Sequence, residues 1–143
     1  MNDYQKELNN NGVLAFTPNG NSMWPFLKNG KNTVIIVKRE QKAQKYDVVF
    51  YFNKGIYVLH RVIEVTETGY ITTGDSLLKK EEVAEEKVFG VMAGFYRGKT
   101  YIEANDRKYL EKVKKFYSDE QKRKKKIDGF YLREKLKSMF KGV

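Results

Sequence analysis

Over its first hundred residues the chain sets short apolar runs between breaks rich in glycine, asparagine or charge, and beyond about Asp106 the spacing changes. Val13-Leu14-Ala15-Phe16-Thr17 has strand length and ends at Thr17-Pro18-Asn19-Gly20. Thr33-Val34-Ile35-Ile36-Val37 is a β-branched run of the same kind. Asp47–Phe52 and Ile56–Val65 are two strand candidates around Asn53-Lys54-Gly55, a hairpin signal. In the second, Ile56, Val58 and Val62 share one face and Leu59, Ile63 and Val65 the other, which predicts a central strand covered on both sides. Tyr70–Thr73 is a shorter strand ended by Gly74-Asp75, and Val88–Arg97 with Thr100–Glu103 forms another pair turning at Gly98. Thereafter Tyr109, Leu110, Val113, Phe116 and Tyr117 recur at helical spacing, and Phe130, Tyr131, Leu132, Leu136, Met139 and Phe140 do so again after Asp128-Gly129. The pattern predicts a mainly β body followed by two amphipathic helices with a basic segment and a glycine between them. The predicted organisation is a polar lead-in over 1–12, frayed or briefly helical, a β domain over 13–105 and a helical tail over 106–143.

At 143 residues the length suits one domain with a real core. The chain has no cysteine and a single histidine, so thiol chemistry, disulfides and cysteine-ligated metals are excluded, and a zinc site is not expected. The net charge of +10 is uneven: residues 107–143 hold fourteen Lys or Arg and five Asp or Glu, +9 in all, which leaves +1 for residues 1–106. Any argument from charge to a partner therefore concerns the tail. No apolar run reaches membrane-spanning length and Met1–Gly12 lacks the apolar centre of a secretion signal, so the expected location is the cytosol or its membrane face.

Gly20-Asn-Ser-Met-Trp-Pro-Phe-Leu-Lys-Asn-Gly30 reads as an exposed turn that presents the Ser22 hydroxyl, with Met23, Phe26 and Leu27 as its anchors. Serine is a weak nucleophile until a base removes its proton, and neutral histidine is the usual base near pH 7. His60 lies mid-strand and Asp75 at a strand's mouth, so Ser22, His60 and Asp75 form a candidate set in which the carboxylate holds the imidazole. The plainer alternatives are a turn serine, a packed core histidine and a turn-capping aspartate.

These residues fall within an ordered series of motifs. Gly20-Asn-Ser-Met-Trp-Pro25 resembles the nucleophile box of the type I signal peptidase and LexA-like serine peptidases. Tyr46-Asp-Val-Val-Phe50 resembles their Gly-Asp-Val-Val-Phe strand, and Val58-Leu-His-Arg-Val-Ile63 the box with the general base, histidine in the archaeal and endoplasmic-reticulum enzymes. Thr72-Thr-Gly-Asp-Ser76 is similar to their Thr-Lys-Gly-Asp-Asn box, and Phe89-Gly-Val-Met92 to the closing strand. The resemblance covers roughly residues 13–97. It implies a signal-peptidase-like catalytic β fold and a serine endopeptidase that clips a leader or precursor peptide after small residues. Ser22 would attack, His60 would act as base and then acid, and Asp75 would orient it. The Ser22 N–H would supply an oxyanion hole, with Asn21, Met23 and Trp24 as oxyanion or substrate-binding neighbours; Arg61 and Asp47 would be structural. No cofactor or metal is called for.

The chain departs from that pattern at Gly20, where some bacterial members place a serine donor, and at Ser76 in place of asparagine. Glu81 or Glu82 would stand in for a second acid. The expected membrane anchor, DNA-reading domain and self-cleavage site ahead of Ser22 are absent from this reading. For the tail three roles are open: a helix pair packed on the body, a peripheral contact with anionic membrane, and nucleic-acid binding, the last without a recognised motif. Two other functions compete with the peptidase: a catalytically inactive module that uses the tail to bind nucleic acid, membrane or a partner, and a self-cleaving regulator.

Overall fold

The structure, a computed structural model, describes residues 3–141. It is mainly β: eight antiparallel strands form one sheet, accompanied by three helices. The strands are β1 (Val13–Phe16), β2 (Val34–Lys38), β3 (Val48–Asn53), β4 (Ile56–Val65), β5 (Gly69–Thr73), β6 (Glu81–Ala84), β7 (Val88–Arg97) and β8 (Thr100–Glu103). Their order is β1-β2-β7-β3-β4-β5-β6, with β8 paired to the far end of β7. Lys54 and Gly55 both take positive φ, 50° and 82°, which makes the two-residue turn that closes Asn53 onto Ile56.

β4 is central, as its two apolar faces require, and each face meets a different core. Leu59 joins Phe50, Ile36 and Phe95 in the larger core, which the helices cover. Val58 and Val62 join Val49, Tyr51, Tyr70 and Val83 in a second core. Strands β3–β7 and the loop residue Ala43 supply that second core, and no helix contributes a buried residue to it. The ends of β4 escape this cover, and Ile56 and Val65 are exposed.

Of the two alternatives for the lead-in the helical one is observed, and two other expectations are revised. The lead-in is the helix α1 (Asp3–Asn11), whose Leu8 is buried in the larger core. β6 carried no apolar signal because of its four residues, Glu-Glu-Val-Ala, only Val83 is buried. The second revision concerns the tail helices, α2 (Arg107–Tyr117) and α3 (Glu120–Phe140). The break falls at Ser118-Asp119, and the basic run and Gly129 lie inside α3. Asp119 caps α3 by accepting from the N–H of Gln121 and Lys122, and the burial of Arg123, Ile127 and Phe130 outweighs the cost of a mid-helix glycine, about 1 kcal/mol.

The tail is part of the fold. Tyr109 and Val113 belong to the larger core, and buried Phe116 meets Phe26 edge-on at 5.6 Å beneath the Ser22 turn. Phe116→Ala is therefore expected to cost about 3 kcal/mol or more of unfolding free energy in a urea titration; a tail resting loosely on the body would give a change near zero.

Candidate active site

The Ser22 turn is knitted from within and pinned from without. Gly20, at φ 99°, donates its N–H to Asn29 Oδ1 at 2.7 Å, and the Gly30 N–H reaches Pro18 O at 3.0 Å. Buried Asn32 accepts from Lys28 N and donates to Tyr96 O, which ties the turn's exit to β7. Met23 and Leu27 enter the larger core, as their apolar character predicts. From outside, the Ser76 N–H donates to Ser22 O at 3.0 Å and the Ser76 hydroxyl to Asn21 O at 2.6 Å. A side chain at Gly74 would put its Cβ 2.6 Å from Ser22 O, so glycine is what lets the β5 turn approach this closely.

The turn leaves backbone donors free beside the Ser22 hydroxyl. Among the described residues the N–H groups of Ser22 and Met23 have no protein acceptor, whereas the Trp24 N–H is held by Asn21 O at 3.1 Å. Trp24 thus drops out as a backbone oxyanion donor, while the carbonyl of Asn21 is taken up by Trp24 N and Ser76 Oγ and the N–H groups of Ser22 and Met23 flank the hydroxyl. The Trp24 indole stacks on Phe130 of α3 at 4.2 Å.

His60 sits on β4 opposite Val49 of β3. β5 pairs with β4 only from Arg61 onward, so Ile56–His60 is an unpaired edge. Antiparallel alternation from the Asn53–Ile56 closure turns the peptide groups of Tyr57 and Leu59 toward that edge. A cleft of about 440 Å³ runs along it; Thr17–Gly20 and Ser22 form one wall, and Ile56–His60 and Glu81 line the other.

The cleft brings together Ser22, His60 and Glu81, but no hydrogen bond joins Ser22 to His60 among the described residues. His60 Nδ1 is buried without a hydrogen-bond partner and lies 4.0 Å from Glu81 Oε1. Glu81 shares a sheet face with His60 because it pairs with Thr72, which pairs with Val62. Glu82, the other candidate acid, falls on the opposite face and is exposed. Burial of the ring lowers the His60 pKa below 6.5, against the upward pull of the Glu81 and Asp75 charges. The imidazole is therefore neutral at pH 7, as a general base must be.

Asp75 is placed differently from the expectation. Its carboxylate accepts from Arg61 Nε and Nη2, both at 2.8 Å, and from the Tyr117 hydroxyl. No hydrogen bond links it to His60, which feels it only as a charge. The physical reason is alternation: Arg61 follows His60 and points to the other face of β4, where α2 and Asp75 lie. Both ions of the pair are fully buried, and Arg61 also donates to Tyr46 O and the Tyr109 hydroxyl, at 2.9 Å each. Tyr46 is held at φ 77° with that carbonyl aimed at Arg61. Burial, reinforced by the Asp75 charge, raises the Tyr117 pKa, so its phenol stays protonated and donates.

Arg123 was hidden by its setting in Lys122–Lys126. It is buried, donates to the carbonyls of Gly74, Asp75 and Leu77, and lies 4.6 Å over the Tyr117 ring. The signal that could have exposed it is spacing: it stands four before Ile127 and seven before Phe130, on one helical face. Tyr131 completes the clamp, its hydroxyl 2.9 Å from Ser76 Oγ.

No family model matches this chain, and neither a curated protein nor a solved structure does.

Asp75→Asn leaves the Arg61 guanidinium buried and uncompensated. It is expected to lower unfolding free energy by about 3 kcal/mol or more in urea titration, with partial recovery in Asp75→Asn/Arg61→Met. An aspartate that served only to orient His60 would leave stability unchanged.

Proposed function

We propose that the protein is a serine endopeptidase of the signal-peptidase-like kind, with Ser22 as nucleophile and His60 as general base. The observation that carries this is one cleft lined by Ser22, a buried neutral histidine and a carboxylate, alongside an unpaired strand edge. A peptide in extended form would add to that edge, hydrogen-bonding to the peptide groups of Tyr57 and Leu59. Its scissile carbonyl would then lie against the Ser22 turn. Ser22 Oγ attacks the carbonyl carbon as His60 takes the hydroxyl proton, and the N–H groups of Ser22 and Met23 receive the charge on the oxygen. His60 returns the proton to the leaving amine, and water releases the acyl group by the same steps reversed. Each oxyanion donor is typically worth about 3 kcal/mol in the barrier.

In this reading the orienting carboxylate is Glu81. Its 4.0 Å separation from Nδ1 exceeds a hydrogen bond, a gap of the kind that tightens when substrate enters. Asp75 acts one step removed: paired with Arg61, it holds the turn whose Ser76 grips the carbonyls of Asn21 and Ser22. The ordered motifs around Ser22, His60 and Gly74-Asp75 support the same superfamily, and with it a leader or precursor peptide cut after small residues. A second reading, a peptide-binding module without turnover, draws on the missing Ser22–His60 hydrogen bond.

Turnover of a peptide library separates the two. Wild type is expected to cleave and Ser22→Ala to fall to background; equal cleavage by both ends the peptidase reading. Because the folded His60 pKa lies below 6.5, the acid limb of kcat/KM is expected to rise with a midpoint below that value. Glu81→Gln removes a charge that raises this pKa, so the limb moves to still lower pH while kcat drops about 10²-fold or more. A midpoint well above 7 would assign the base to another group.

A further inference from the structure

Helix α3 changes its apolar side along its length. Arg123, Ile127 and Phe130 face the body and are buried. Leu132, Leu136, Met139 and Phe140 are 58%, 43%, 63% and 72% exposed. At about 100° per residue these four fall in one arc roughly 100° wide, nearly opposite the buried stripe. The second half of the helix therefore holds an apolar strip away from the protein that no described residue covers.

The strip's charged surroundings say what it fits. Between Leu132 and Lys141 stand Arg133, Lys135, Lys137 and Lys141 against one acid, Glu134. Glu134 pairs with Lys137, while Arg133 and Lys135, flanking the strip on either side, make no ion pair among the described residues. A second copy docking here would set these cations against their own kind around the seam. An anionic lipid surface offers an apolar phase for the strip and negative charge for its flanks at once.

We propose that residues 132–140 of α3 form an in-plane anchor for an anionic membrane surface. The inference stands apart from the peptidase reading. It also gives the cleft an address: Phe130 and Tyr131, just before the strip in sequence and turned toward the body, touch Trp24 and Ser76, so a docked helix would hold the Ser22 turn on its far side, one helix diameter (about 10 Å) from the lipid. No helix among the described residues is long and apolar enough to cross a bilayer, so the contact is peripheral in kind.

The test uses the full chain, since removing the tail would strip Tyr109, Val113 and Phe116 from the core. Sedimentation with vesicles of phosphatidylcholine, with and without phosphatidylglycerol, should show binding to the anionic vesicles only. Raising salt from about 0.1 M to 1 M, which shortens the Debye length from about 10 Å to 3 Å, should weaken it. Leu136→Asp/Phe140→Asp should reduce partitioning at least about tenfold, with circular dichroism and the unfolding midpoint unchanged. Arg133→Glu/Lys135→Glu, which leaves the apolar strip intact, should do likewise. Absence of binding to anionic vesicles, or equal binding by wild type and variants, overturns the proposal. So does a dimer in sedimentation velocity that Leu136→Asp/Phe140→Asp dissolves, which would assign the strip to a second copy.

Discussion

The buried pair between Arg61 and Asp75 is the constraint around which the rest is arranged. Two full charges removed from water are tolerable only when every lone pair and proton finds a partner. Here the partners come from across the chain: the loop carbonyl of Tyr46, the hydroxyls of Tyr109 and Tyr117 from α2, and the Phe26 ring from the Ser22 turn. The pair therefore joins β4, the β5 turn, the β2–β3 loop and the tail, segments that local sequence would not bring together. Burial alone would loosen the Arg61 proton, and the adjacent Asp75 charge more than reverses that, so the guanidinium stays charged throughout.

The same pair decides how Ser22 and His60 are placed. Neighbours on a strand face opposite ways. Committing Arg61 to the α2 side sends His60 to the other face, toward Glu81 and the cleft. Anchoring Asp75 sets the position of Ser76, and Ser76 in turn holds the Asn21 and Ser22 carbonyls. The Ser22 turn and His60 are thus placed by one buried ion pair, acting through Ser76 on one side and through strand alternation on the other.

The tail serves two kinds of contact along one helix. Its first half closes over the β5 turn through Arg123 and over Trp24 through Phe130, both buried. Its second half presents lysine, arginine and exposed apolar side chains outward. An arginine suits the first task because its planar fork can serve several carbonyls at once, which a lysine ammonium does less well.

Much of this was legible in the residues themselves. Alternation and β-branching marked seven of the eight strands, Lys54-Gly55 marked the hairpin, and the spacing from Tyr109 to Tyr117 marked α2, because those signals are local. The motifs around Ser22, His60 and Gly74-Asp75 singled out the segments that line or support the cleft. What the residues alone did not decide was partnership. Asp75 reads from sequence as a histidine's carboxylate or a turn cap, and only the closing of the chain around Arg61 made it an arginine's partner. β6 is nearly all polar and exists because β5 offers it an edge. Arg123 is one cation among five in sequence, and it became a core residue only because Gly74, Asp75 and Leu77 left their carbonyls facing the helix. Short-range pattern follows from backbone geometry, which each segment carries with it; the choice among charged partners depends on desolvation, which does not exist until the chain has closed around them.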